Sequence, residues 1–175
     1  MTGVVDRSGG RTPDVAGEGR AAVRVGVVSD THGLLRPEAV SALRGSDLIV
    51  HAGDVGDPAI LEALRRIAPV RAVQGNVDRG AWASELPRTE TFEVSGRTLH
   101  VLHIVEELDL DPVAAGVDAV IYGHTHRPAV ERRRGVLFLN PGSAGPRRFD
   151  RPVSVARLRV DRGGVEATLV ELDPA

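Results

Sequence analysis

The sequence predicts a layered α/β fold, and two observations predict it. In the first half, apolar strand-like runs alternate with amphipathic helical segments, the order that builds a parallel sheet covered by helices. In the second half, strand-like runs come in pairs around turn signals, which adds antiparallel strands. No internal repeat and no linker divides the pattern.

The elements follow in order. Residues 1–20 are rich in Gly, Asp, Arg, Thr, Ser and Pro without periodicity and read as a disordered tail. The folded domain is expected over residues 21–175, as one unit. Residues 21–29 form a mostly apolar run, a buried strand. Pro37 opens a short helix reaching residue 44. Residues 47–51 give a second strand. Residues 58–67 are helical, with Ile60, Leu61, Leu64 and Ile67 on one face. Residues 70–74 are a third strand. Residues 89–94 and 97–104 flank the turn signal Ser95-Gly96, and residues 108–115 read as a short helix. A strand over 118–122 leads into Gly123-His124-Thr125-His126. Strands over 129–133 and 136–140 flank Arg134-Gly135, and a last hairpin joins 153–160 to 165–172.

Composition removes several classes. There is no cysteine, so disulfides and thiolate metal sites are excluded. The net charge of -2 gives no general attraction to nucleic acid or membrane. Every one of the 22 basic residues is Arg, which reads first as genomic base composition. No apolar run approaches the ~20 residues of a membrane span, and the N-terminus lacks a signal peptide's apolar stretch. A cytoplasmic location is therefore expected.

The chemistry lies in the strand-end loops, where α/β folds place their sites. Asp30 and His32 follow the first strand as Asp-Thr-His, Asp54 the second as Gly-Asp, and Asn76 the third as Gly-Asn. His103 ends a later strand, and His124 and His126 follow the next. Parallel strands would bring these loops to one edge. Carboxylate, imidazole and amide oxygen suit divalent Mn, Fe, Co, Ni or Zn. Two such cations with two carboxylates leave a positive site that attracts phosphate. Glycine beside the motifs allows sharp turns and close backbone approach.

These motifs, in this order, resemble the calcineurin-like metallophosphoesterases, and in particular their short bacterial and archaeal phosphodiesterase branch. The resemblance spans about residues 22–172. It implies a four-layer αββα sandwich of two mixed sheets flanked by helices. It also implies two divalent metal ions, with Mn foremost and Ni, Fe, Co or Zn as alternatives. One would be held by Asp30, His32 and His126, the other by Asn76, His103 and His124, with Asp54 bridging. A hydroxide between the metals would attack phosphorus, so Asp54, Asn76 and His103 are the expected catalytic residues. The implied substrate is a small or nucleotide-type phosphodiester, and the implied assembly a dimer or tetramer. Asn140-Pro141-Gly142-Ser143 resembles a family turn that shapes the cavity floor.

Two positions depart from the family. Larger relatives follow Gly-Asn with a histidine that protonates the leaving group; Val77 stands there, so esters with stable leaving groups are favoured. Asp78 is a substitute acid only if its carboxyl is protonated, which an ordinary pKa near 4 opposes. Relatives commonly carry glycine after the strand-end histidine, where this chain has Ile104. Arg147 and Arg148 either pair with a substrate phosphate or are solvated surface charges. His51 reads as structural or as a hydrogen-bond partner behind the site, and His100 as structural on the opposite sheet face from His103. The rival to an enzyme is a protein-binding scaffold on the same fold, of the retromer-subunit kind, in which ligands would be lost; all seven are present. A nuclease of the superfamily would need a basic surface for the nucleic-acid backbone, and this chain has no extended one.

Overall fold

The computed structural model describes residues 22–172. The expected tail at 1–20 lies outside the described residues, as do residue 21 and residues 173–175. Val23, Val25 and Val27 alternate with Arg24 and Gly26 along the first strand, β1 (Val23–Val28), and this period of two turns the three valines to one face. Helix α1 (Pro37–Leu43) and strand β2 (Leu48–His51) follow, then helix α2 (Pro58–Arg65) and strand β3 (Val70–Ala72). Asp57 caps α2 by accepting a hydrogen bond from the Ala59 N–H at 2.8 Å, with Pro58 at the first helical position. A single helical turn, α3 (Ala81–Ser84), leads to strands β4 (Thr89–Val94) and β5 (Arg97–Leu102). Strands β6 (Ala119–Ile121), β7 (Ala129–Arg133), β8 (Val136–Asn140), β9 (Ser154–Asp161) and β10 (Gly164–Glu171) complete the order.

These strands form two mixed sheets of five, ordered β10-β9-β1-β2-β3 and β4-β5-β6-β8-β7. In each, three neighbouring strands are parallel: β1, β2 and β3 in the first, β5, β6 and β8 in the second. The main core lies between the sheets, where Val25, Val27 and Leu158 share one cluster with Leu99, Ile121 and Leu139. A second cluster places Leu43 of α1 and Ile60, Leu61 and Leu64 of α2 with Val28, Ile49 and Val155 of the first sheet. The α/β sandwich thus agrees with the sequence. Ser95-Gly96 and Arg134-Gly135 take positive φ at both positions, the two-residue turn that suits a twisted hairpin.

One expected element is corrected. Residues 108–115 do not form a helix. A 3₁₀ turn spans Val105–Glu107, and a separate turn closes at Asp111–Val117. The reason is local: Pro112 lacks an N–H, and the Asp111 carboxylate accepts a hydrogen bond from the Val113 N–H at 3.0 Å. Leu108 and Leu110 still pack on Leu102, Val120 and Phe138, so this irregular segment covers the outer face of the second sheet. Among the described residues no helix is long and apolar enough to cross a membrane.

Candidate metal centre

The C-terminal ends of the parallel strands carry all seven expected ligands. Asp30 and His32 follow β1, Asp54 follows β2 and Asn76 follows β3; His103 follows β5, and His124 and His126 follow β6. The structure brings them together in two groups. Ligand atoms of Asp30, His32 and His126 lie within 4.8 Å of one another, and so do those of Asp54, His103 and His124. Asn76 joins the second group, its Oδ1 3.1 Å from His124 Nδ1. Asp54 Oδ2 reaches both groups, 3.1 Å from His103 Nε2 and 3.7 Å from His32 Nε2.

The backbone is strained here. Asp30, His32, Asp54, His124 and His126 all have positive φ, between 46° and 71°. Such angles are uncommon outside glycine and collect at functional sites, because surrounding contacts must hold them. Two glycines make the approach possible. A Cβ on Gly75 would stand 2.0 Å from the Asp54 nitrogen, and one on Gly123 2.1 Å from Ser29 Oγ.

Three of the ligands, Asp30, His103 and Asp54, are oriented from behind. Asp30 Oδ2 accepts hydrogen bonds from Ser29 Oγ at 2.7 Å and the His124 N–H at 3.1 Å. That leaves Asp30 Oδ1, buried and without a hydrogen-bond partner, facing His126 Nε2 at 3.2 Å. His103 Nδ1 lies 2.7 Å from the Ala52 carbonyl, so Nδ1 carries the proton and donates it. The Nε2 lone pair, buried and likewise unpartnered, turns to the cluster. Asp54 Oδ1 accepts from the Val77 N–H at 3.0 Å. Buried acceptors left without donors, on carboxylates and neutral imidazoles, are a set that divalent cations satisfy. The residues therefore fit the two ions implied by the family resemblance.

Charge couples the carboxylates to the imidazoles around them. Burial pushes the Asp30 carboxyl up, but His126, His32, His103 and the Ser29 hydroxyl override it and hold the group far below the usual carboxylate range. Asp54 is also lowered: burial opposes, while His103 and the Val77 N–H prevail. Burial lowers His103, yet the Asp54 and Asp30 carboxylates beside it give a net rise.

The remaining residues sort clearly. His51 is fully buried behind the cluster, 2.9 Å from Thr31 Oγ1, and accepts from the Gly53 N–H at Nδ1. Its Nε2 therefore carries the proton, and burial lowers its pKa to about 4. His100 lies buried on the other face of β5, with Nδ1 2.7 Å from Thr91 Oγ1. The Asn140-Ser143 turn ties the site together from below. Asn140 Nδ2 donates to the Gly123 carbonyl at 3.0 Å, and Ser143 Oγ donates to the Asp30 carbonyl at 2.9 Å. Arg147 and Arg148 stand exposed in the loop between β8 and β9, and neither bonds to the cluster.

Asp78 serves the backbone of the site. Its carboxylate is buried and accepts from the N–H groups of Val55, Gly56 and Gly75 at 3.2, 2.9 and 2.8 Å. It ties the loops after β2 and β3 together. Sequence reasoning also missed Ser29, whose only signal is its place before Asp30. A cleft of about 310 Å³ opens beside Asn76 and His103. A larger cavity, about 530 Å³, lies near the start of β1 among Arg24, Arg44, Arg157 and Arg159 and contains none of the seven ligands.

Comparison with known proteins identifies the family and the fold. Residues 23–163 match the calcineurin-like phosphoesterase superfamily domain. A probable metallophosphoesterase of Methanothermobacter thermautotrophicus is 38% identical over 158 residues, covering 83% of this chain and 91% of that protein. A solved archaeal phosphodiesterase shares the fold at TM-score 0.71 and 21% identity, over 85% of this chain and all of that one. So does vacuolar protein sorting 29 of Cryptosporidium parvum, at TM-score 0.71 and 19% identity, over 89% of this chain and all of that one. With its domain matched over most of its length, this chain belongs to the calcineurin-like phosphoesterase superfamily.

Proposed function

We propose that this metallophosphoesterase is a phosphodiesterase that acts on small or nucleotide-type phosphodiesters with two divalent metal ions, manganese foremost. The observation that carries the reading is the meeting of two three-residue ligand groups at Asp54. Asp30, His32 and His126 would hold one ion; Asn76, His103 and His124 the other; Asp54 would touch both. Bound there, divalent ions supply Lewis acidity toward the phosphoryl oxygens and lower the pKa of water.

The chain's own residues do the rest. The Ala52 carbonyl fixes the His103 tautomer, and Ser29 with the His124 N–H fixes the Asp30 carboxylate. Val77, exposed beside Asn76, has no proton to give a leaving group, and Asp78 is occupied by three backbone donors. General acid help is typically worth 10²–10⁴-fold, so its lack favours esters whose leaving group is already stable. Exposed Arg147 and Arg148 would pair with a substrate phosphate. Residues 21–175 would act as one domain in the cytoplasm, alone or as a dimer or tetramer.

A non-catalytic scaffold is the second reading, favoured by the fold shared with vacuolar protein sorting 29. Retention of all seven ligands weighs against it. The test is hydrolysis of bis(4-nitrophenyl) phosphate and 4-nitrophenyl phosphate with Mn, Ni, Mg, Zn or chelator, for wild type and Asn76→Ala. Metal-dependent diester cleavage that collapses in the variant is the expected result. Folded protein without turnover under any metal would leave the scaffold.

A further inference from the structure

The cleft beside Asn76 and His103 has a chemistry of its own. It is walled by the segment after β5, where Ile104 and Glu107 stand, and by Arg88 and Thr89 at the start of β4. Its only cation, Arg88, lies 3.6 Å from the Glu107 carboxylate. Asp109, also lining the cleft, is exposed and makes no ion pair among the described residues. One negative charge is thus left over on the wall. Gln74 spends its Nε2 on the Asp78 carbonyl at 3.3 Å, so its amide oxygen remains as an acceptor.

We infer that this cleft receives one ester arm of the substrate, and that the arm is small, polar and free of negative charge. The inference rests on the phosphodiesterase reading and narrows it. Asn76 and His103 belong both to the ligand cluster and to the cleft wall, so a phosphate at the cluster has the cleft as a neighbour. His103 Nε2, buried and unpartnered, marks the junction. The volume, about 310 Å³, sits at the lower end of the range for small-molecule sites. Carboxylate and amide oxygens on the wall accept hydrogen bonds from hydroxyl or ammonium donors. A second phosphate or a carboxylate there would meet Asp109 with like charge. Small hydroxyl-bearing or amine-bearing alcohols are therefore the matching arms, and polyphosphorylated ones are opposed.

The test uses three 4-nitrophenyl phosphodiesters with the same leaving group and a 2-aminoethyl, 2-hydroxyethyl or 2-carboxyethyl second arm. The manganese-loaded full chain should rank kcat/KM as amine, then hydroxyl, then carboxylate, with the carboxylate about tenfold below the amine for an exposed charge of this kind. Asp109→Arg should reverse the amine-to-carboxylate ratio. A carboxylate arm equal to or faster than the amine in wild type, or a ratio that Asp109→Arg leaves unmoved, would overturn the inference. If none of the three turns over with any metal, the phosphodiesterase reading falls by itself. Calorimetric affinities of the same three esters then decide the cleft: the same order upholds the assignment, and no order removes it.

Discussion

The two halves of the ligand cluster are built differently. Asp30 and His126 are buried and His32 is half-buried, whereas in the other half Asn76 and His124 are exposed and only His103 and Asp54 are buried. The closed half is bound into the fold through Ser29, Thr31, His51 and Ser143. In the open half, the Asp78 carboxylate joins the loop after β2 to the loop after β3. Interior groups with fixed partners resist change, and exposed groups can exchange partners with a substrate. The closed half is thus part of the architecture, and the open half presents Asn76 and His124 to solvent.

Three experiments would break or sharpen this contrast. The largest effect is expected at Asp78. Asp78→Ala strands three backbone donors, two of them fully buried, and should lower unfolding free energy by about 3 kcal/mol or more, measured by urea denaturation. Loss of stability near zero would mean that the open half does not depend on this carboxylate.

Beneath the closed half, His51 should report through pH. Its folded pKa, about 4, lies below the unfolded value of 6.5. The unfolded chain therefore takes up the proton first as pH falls. Stability is fully present above pH 6.5 and is lost progressively down to about pH 4, by about 3 kcal/mol from linkage. The readout is the stability difference between wild type and His51→Gln across that range. A difference independent of pH would show that His51 is not held neutral.

The smallest effect separates the ligands themselves. In chelator-treated protein, His126→Ala deprives the buried Asp30 carboxylate of its nearest imidazole and should cost about 1–3 kcal/mol. Asn76→Ala, at an exposed site, should stay within about 0.5 kcal/mol. Equal costs would erase the distinction between the halves.

Much of this was legible in the chain. Each ligand directly follows a strand, so period-two apolar runs placed Asp30, Asp54 and Asn76 at one edge before any coordinates. The Ser95-Gly96 and Arg134-Gly135 turns set the boundaries of β4, β7 and β8 correctly, because local φ preferences decide them. Less local facts were hidden. Leu108 and Leu110 carry an apolar signal that a helix and an irregular covering segment share, and Pro112 with Asp111 decided between them. The single turn of α3 is too short to produce a periodic pattern. Asp78 looked like a neighbour of the chemistry, because its three donors come from two separate loops.

One feature of the cluster bears on how the molecule could be divided. Asp30, His32, Asp54 and Asn76 come from the first sheet, and His103, His124 and His126 from the second. Each ligand group draws on both. A chain cut at Pro87, between α3 and β4, leaves four ligands on one piece and three histidines on the other. Neither fragment carries a complete group, so the cluster works as a logical AND: it exists only where both pieces have come together, the property required of a split reporter.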